Sequence, residues 1–315
     1  MKIHYDPFLT EAVVFMEIKR REEAGDLQPL RAYRTLTDPI YERIPLEARE
    51  GEFEKVHREF FLHLGFGEAL PKALGEFPGL EGRLEAVFIG KALSRQEEGA
   101  DLGHDRTRIG VKIRPERFGD SQALRSYLRH ELQHLADMLD PAFGYVREER
   151  LASSPAEENL IRERYRLIWA VFIDGRFARQ GKETIATKGK RFRDFETLYP
   201  NFPHPQRLVI FESLFGAERL THAEILAMAE DPNSLLEGVG EDSPGGLPQR
   251  VLLPGSPCPL CRFPTYSWAE AFEEEVIGLI KRDFPDWQPQ EGACERCSEV
   301  YSVRRLVPGA AAAAQ

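Results

Sequence analysis

The four cysteines of this 315-residue chain all lie in its last sixty residues, as two Cys-x-x-Cys pairs. Cys258 and Cys261 form the first pair, and Cys294 and Cys297 form the second after 32 intervening residues. Two such pairs with no other cysteine are a strong signature of a Zn²⁺ site. Four thiolate ligands leave no open coordination position, so the pattern predicts a structural zinc rather than a catalytic one.

The cysteine segment is expected to form a small module of its own. Residues 241–257 are rich in glycine and proline, which favours a linker, and the module then covers residues 258–315. So short a segment cannot rely on a hydrophobic core alone, so bound metal would supply much of its folding energy. Residues 267–282 have the composition of a helix inserted between the pairs. The module therefore resembles a zinc ribbon, or a treble-clef-like pair of knuckles, with one added helix.

Charge and hydropathy restrict the partners of the chain. Lys and Arg total 42 against 52 Asp and Glu, a net charge of −10, which argues against nucleic acid held mainly by charge. The module is also acidic, so a protein partner is the better expectation for it. No apolar run approaches the ~20 residues of a membrane span. We expect a cytoplasmic protein, where paired cysteines indicate metal before disulfide.

A second group of reactive side chains lies near the middle of the chain, in the sequence His-Glu-Leu-Gln-His. His130 and His134 are four residues apart, so on a helix their imidazoles share a face and can bind one Zn²⁺. Glu131 lies beside them and could accept a proton from an activated water. Leucines at helical spacing predict that this helix buries one stripe: Leu124, Leu128, Leu132, Leu135 and Leu139. Asp120 or Ser121 would cap it, and Pro141 would end it.

These residues resemble the zincin metallopeptidases over about residues 84–140, with His130, Glu131 and His134 as the matching motif. The resemblance implies that the two histidines are zinc ligands and that Glu131 is the general base activating water for attack on a peptide carbonyl. It also implies a neighbouring edge strand that aligns the substrate backbone, for which Arg108–Ile113 is the candidate.

A catalytic zinc needs a third protein ligand, and several carboxylates remain open for that role. Asp174 ends an apolar run and pays a desolvation cost unless it is paired or bound to metal, so we favour it. Glu163, eleven residues earlier on the same predicted helix, points nearly the same way and comes next. Asp140 is third, because Asp137 occupies the place where the metzincin branch has a turning glycine. A structural ion pair between Asp174 and a buried arginine is about as well supported as a ligand role.

Peptide hydrolysis also needs a donor for the developing oxyanion, and three tyrosines are near enough in sequence to supply it. They are Tyr127, Tyr145 and Tyr165, and the sequence does not rank them.

Other elements follow from local patterns. Helices are expected over residues 10–24, capped by Thr10, over 51–64, and over 155–177 behind a capping box at Ser154. Thr221 opens a further capped helix. Short strands are expected at residues 84–89 and 108–113, with a loop or hairpin connection between them.

Together these features predict an α+β fold: a zincin-like, helix-rich domain with a small sheet over residues 1–240, then the linker and the zinc-ribbon-like module. The expected function is zinc-dependent hydrolysis of peptide bonds, with one catalytic and one structural Zn²⁺ and a peptide or protein as substrate. Two alternatives stay open. One is a non-catalytic zinc-binding scaffold with a degenerate HExxH helix, and the other is a zinc hydrolase of a non-peptide amide.

Overall fold

The structure is a computed structural model that describes residues 1–147, 150–152, 154–237 and 251–306. The chain divides into two compact units. Unit 1 comprises residues 1–145 and 177–185, and unit 2 comprises residues 146–176 and 186–315. Most of the predicted linker at 241–257 lies outside the described residues, so the predicted division between a 1–240 domain and a 258–315 module stays a prediction.

Unit 1 contains a four-stranded sheet with the strand order β1-β2-β4-β3. Its strands are β1 (Lys2–Tyr5), β2 (Ala86–Lys91), β3 (Gly99–Leu102) and β4 (Arg108–Ile113). The pairs β1/β2 and β2/β4 are parallel, whereas β3 is antiparallel to β4 and forms one edge of the sheet. Alternate residues of β2 and β4 are buried and exposed, so one face of the sheet packs into the core and the other meets solvent.

The helices of unit 1 cover the buried face of this sheet. Val87 and Ile89 on β2 and Val111 on β4 are almost fully buried there. The helices are α1 (Pro7–Glu23), α2 (Gln28–Arg43), α3 (Leu46–His63), α4 (Ala69–Leu74), α5 (Pro78–Glu81) and α6 (Ser121–Leu139). Helix α6 carries the HExxH motif and contacts β3 and α4.

The described residues of unit 2 form helices, loops and two isolated β-bridges near the cysteines. Its helices are α7 (Pro155–Arg179, whose last three residues belong to unit 1), α8 (Lys188–Leu198), α9 (His204–Gly216), α10 (His222–Glu230), α11 (Ser234–Glu237), α12 (Glu274–Asp283) and α13 (Glu295–Leu306). No helix among the described residues is both long enough and apolar enough to cross a membrane.

Several local predictions are confirmed. Asp120 caps α6 through hydrogen bonds from the backbone N–H groups of Gln122 and Ala123, both 3.0 Å long. Ser154 accepts a bond from the N–H of Glu157, and Thr221 and Glu224 form a reciprocal capping box. The strand predicted at residues 108–113 is β4.

Other predictions were wrong in ways that have a physical reason. Helix α1 is capped by Asp6, not Thr10, because the Asp6 carboxylate accepts from the N–H of Phe8 and Pro7 occupies the first helical position. The helix expected at 267–282 begins only at Glu274. Trp268 and Ala269 instead pair with Cys294 and Ala293, which holds this stretch extended.

The strand Arg108–Ile113 is not the edge strand, because it lies between β2 and β3. The edge strands are β1 and β3, and β3 falls within the segment predicted to be a loop or hairpin connection.

Candidate metal centres

Helix α6 is fixed along its length by its buried leucines and by contacts at its C-terminal end. The five leucines of the predicted stripe are each at most 8% exposed, which confirms that face as the buried one. At the C-terminal end, Arg83 donates to the carbonyl of Leu139 at 2.7 Å, and Arg106 donates to that of Met138. These two guanidinium groups hydrogen-bond the last carbonyls of the helix, where positive charge is stabilised by the negative end of the helix dipole. The motif therefore lies on a helix that is held at both ends.

The imidazoles of His130 and His134 face each other on α6. Their Nε2 atoms are 3.2 Å apart, with the ring planes inclined at 79°. Two nitrogens bound to one tetrahedral Zn²⁺ at 2.0–2.1 Å are separated by about 3.3 Å. The pair therefore fits a shared zinc ion, and the same distance also suits a hydrogen bond between a neutral donor and an acceptor imidazole. His130 is buried, whereas His134 is partly exposed.

Glu131 projects from α6 toward β3, an edge strand of the sheet. The backbone of Ala100 hydrogen-bonds its carboxylate, and a Cβ on Gly99 would lie 4.0 Å from Glu131 Oε2. Gly99 has a φ of +155°, a conformation that glycine adopts most readily. Burial raises the pKa of Glu131 above its ordinary value, although His130, the Ala100 hydrogen bond and Arg117 oppose that shift. A carboxylate in these surroundings is suited to hold a proton.

A buried ion pair lies at the beginning of β3. The Glu98 side chain is 4% exposed and accepts two hydrogen bonds from Arg117, at 2.5 and 2.8 Å. The backbone N–H of Arg114 adds a third at 3.2 Å. The Arg117 guanidinium in turn stacks 4.2 Å above the ring of Tyr127 on α6. Burial raises the pKa of Glu98, but these donors outweigh it and hold that pKa below its usual range.

Asp174, the favoured third ligand, is fully buried and already paired. Its Oδ2 accepts a 2.6 Å hydrogen bond from Arg191 Nε within unit 2. This is the structural ion pair that the sequence left open as the alternative to a ligand role for Asp174. Glu163, also in unit 2, is exposed. Asp140 follows the last residue of α6, is exposed, and accepts a bond from the N–H of Ala142. The chain does not turn at Asp137, which remains helical and bonds to Gln133.

The described residues bring three or more possible ligand atoms of His, Cys, Asp or Glu within 4.8 Å of one another only at the four cysteines. The two histidines of α6 are thus joined by no third such atom in the described part of the chain. Which carboxylate completes that site stays a prediction.

The three tyrosines named as oxyanion donors have different surroundings. Tyr127 is buried, and its hydroxyl donates to the carbonyl of Lys112 at 2.6 Å, so its proton already has an acceptor. Tyr165 OH lies 2.7 Å from His222 Nδ1 within unit 2. Tyr145 is partly exposed.

The four cysteine sulfurs converge in unit 2. Cys261 Sγ and Cys294 Sγ are 3.8 Å apart, which equals the separation of about 3.8 Å expected for two sulfurs on a tetrahedral zinc with Zn–S bonds near 2.3 Å. The N–H of Cys294 points to Cys258 Sγ at 3.3 Å. Cys258 and Cys261 lie in a turn closed by the bridge Pro257–Pro264, whereas Cys297 lies in the first turn of α13. The second pair of cysteines therefore lies at the N-terminus of a helix.

Packing and charge both suit a metal ion at this cluster. Leu260, Val276, Ile280 and Trp287 pack around the buried sulfurs of Cys258 and Cys294. Burial raises the pKa of the Cys294 and Cys297 thiols, while backbone donors outweigh burial at Cys258 and lower its pKa. Four thiolates so close together need a cation to offset their negative charge. A Zn²⁺ ion bound by the four sulfurs would be such a cation.

Comparisons of the chain with protein-family models, with curated proteins and with solved structures give no match in any of the three.

Sequence reasoning found both candidate metal centres but missed the residues around Glu131. Glu98 and Arg117 were not singled out, because an ion pair between residues nineteen apart leaves no local pattern.

Proposed function

We propose that the chain is a zinc-dependent hydrolase of peptide bonds, with its catalytic centre on α6. The observation that carries the proposal is the 3.2 Å separation of His130 Nε2 and His134 Nε2, which suits two ligands of one zinc ion. Glu131, next to these ligands and beside an edge strand, adds the carboxylate that such chemistry needs. This combination is the one that the resemblance to zincins implies.

In this proposal His130 and His134 would hold the metal, which supplies Lewis acidity for a substrate carbonyl and lowers the pKa of a water. Glu131 would take the proton of the attacking water on its carboxylate and later deliver it to the leaving amine. The raised pKa of Glu131 favours a group that can hold that proton. Strand β3 presents the backbone edge along which an extended peptide could align.

Asp174 remains the favoured third ligand, with Glu163 and Asp140 as alternatives. Its complete burial supports a carboxylate that needs a partner, but Arg191 already provides one. A role for Asp174 on the metal therefore requires that it exchange this partner or share it.

We propose a structural zinc at Cys258, Cys261, Cys294 and Cys297. The closed set of four thiolates gives it no open coordination position, so its role is to stabilise the fold of residues 251–306 and any protein-binding surface they carry.

Metal content tests both sites in one series. Zinc per chain should be two in the wild type, one in His130→Ala and one in Cys258→Ser. Glu131→Gln should keep two zinc ions and lose hydrolysis of a library of internally quenched peptides. A wild type that holds one zinc, unchanged by His130→Ala, would instead support the scaffold alternative. Cleavage of small acyl amides without cleavage of any peptide would support the non-peptide hydrolase.

A further inference from the structure

One group of contacts at the start of β3, besides its pairing with β4, centres on Glu98 and Tyr127. Glu98 directly precedes the strand and is clamped by Arg117 through a bidentate ion pair. Arg117 stacks on Tyr127, and the Tyr127 hydroxyl bonds the carbonyl of Lys112 on β4 and the backbone of Gly99. The ion pair therefore ties the start of β3 to helix α6 and to the neighbouring strand.

The same short strand hydrogen-bonds Glu131. The Ala100 backbone bond to the Glu131 carboxylate lies two residues beyond Glu98, and Gly99 between them leaves no side chain in the way. Strand β3 has four residues and pairs with β4 along its length, and Glu98 directly precedes its first residue. Displacement of Glu98 would thus displace the Ala100 N–H relative to Glu131.

We infer that Glu98 and Arg117 are positioning residues, whose ion pair sets β3 against Glu131 and so fixes both the carboxylate and the strand edge beside it. Neither residue needs to touch a substrate. Arg117 acts through its two hydrogen bonds to Glu98 and its stacking on Tyr127, and Glu98 acts through the chain direction it imposes on Gly99 and Ala100. The consequence for catalysis rests on the proposed function, but the effect on β3 does not.

Glu98→Gln is the sharpest variant, because it keeps the size of the side chain and removes the charge that binds Arg117. Glu76→Gln is a matched control. Glu76 is a half-buried glutamate that is also held by a bidentate arginine, Arg129 on α6.

Hydrogen–deuterium exchange followed by mass spectrometry should show peptides covering residues 99–102 exchanging about tenfold faster in Glu98→Gln than in the wild type. Peptides covering β1 should be unchanged. Glu76→Gln should leave exchange in β3 unchanged. Equal protection of β3 in the wild type and Glu98→Gln, or equal acceleration by the control, would overturn the inference.

A second arm of the experiment separates positioning from folding. Arg117→Lys keeps the charge but not the two-pronged geometry, so its β3 exchange should fall between those of the wild type and Arg117→Ala. On the zinc-loaded full chain, Glu98→Gln should keep both zinc ions and lower kcat on a quenched peptide about tenfold, with a smaller change in KM. If no variant or wild-type protein hydrolyses any peptide, the proposed function fails, while the exchange data still decide the role of the ion pair.

Discussion

Among single residues, Gly175 lies at a place where two helices of unit 2 approach closely. A Cβ at this position of α7 would overlap the carbonyl group of Phe215 on α9, and that backbone atom cannot rotate away as a side chain could. We expect Gly175→Ala to lower the free energy of unfolding by about 3 kcal/mol or more, because one helix must shift. Chemical denaturation monitored by circular dichroism measures this.

Gly51 provides the comparison for that substitution. It lies inside α3 with nothing within 4 Å of a built Cβ, so Gly51→Ala should stabilise the protein by roughly 0.5–1 kcal/mol through helix propensity alone. If both alanines had the same effect, the close approach at Gly175 would have no energetic importance.

A single side chain, that of Glu76, should make the free energy of unfolding depend on pH. Hydrogen bonds from Arg129, with Arg125 and Lys182 nearby, lower the pKa of Glu76 to about 2. Because the folded-state pKa is depressed, the stabilisation is fully present above the unfolded value near 4.5 and is lost as the pH falls toward 2. At pH 7 the free energy of unfolding of the wild type should exceed that of Glu76→Gln by up to about 3 kcal/mol. This difference should shrink between pH 5 and pH 2. A difference that stayed constant over this range would contradict the prediction.

The residues of the candidate site differ in how far the sequence could reveal them. The proximity of His130 and His134 is predictable because a helix brings positions four apart onto one face, with no help from the rest of the fold. The partner of Asp174 is not, because Arg191 reaches it from another helix. The sequence could say only that a buried carboxylate needs a partner, and an arginine and a metal satisfy that need equally well.

At the scale of elements, α6 depends on contacts made to its ends by distant residues. Arg83 reaches the carbonyl of Leu139 from a segment fifty-six positions earlier. Arg83→Ala should lower the free energy of unfolding by about 1–2 kcal/mol, because a half-buried carbonyl loses a charged donor. Thermal unfolding measures the loss, and Asp120→Ala, which removes the opposite cap, should cost about 1 kcal/mol by itself.

These two caps are far apart, so their effects should add in the double variant to within about 0.5 kcal/mol. A double variant much less stable than this sum would indicate that the ends of the helix are coupled.

The helices were easier to predict than the strands, for a physical reason that β3 makes clear. Long amphipathic helices repeat their pattern over several turns, and β4 has alternating apolar residues of its own. The four residues of β3 include one glycine and one aspartate, which carry no strand preference. Only pairing with β4 makes them a strand, so local sequence could not reveal the edge of the sheet.

For the molecule as a whole, the two candidate metals should be separable in their effects. Removing the cysteine-bound metal by Cys258→Ser should open residues 251–306 to limited proteolysis, because the core around Trp287 and Ile280 is assembled on those sulfurs. His130→Ala should lose its zinc and leave that segment protected. Cleavage of residues 251–306 in both variants, or in neither, would contradict this separation of roles.

Within unit 2, the described end of the predicted linker is hydrogen-bonded to loops between earlier helices. Asn201 donates to the carbonyl of Leu252 at 2.6 Å, and Asn233 accepts from the N–H of Val251 at 2.7 Å. Such contacts between side-chain amides and backbone leave no composition signal, which is why glycine and proline content alone suggested only a linker.

We expect the hydrogen bond between Ala100 and Glu131 to affect self-association of the protein at high concentration. An edge strand can recruit a strand from another molecule, and the Glu131 carboxylate occupies one backbone donor of β3, the Ala100 N–H. Replacing Glu131 by alanine would therefore leave this backbone donor without its carboxylate acceptor as well as remove the proposed general base. If Glu131→Ala self-associates and Glu131→Gln does not, the Glu131 side chain also prevents strand pairing between molecules.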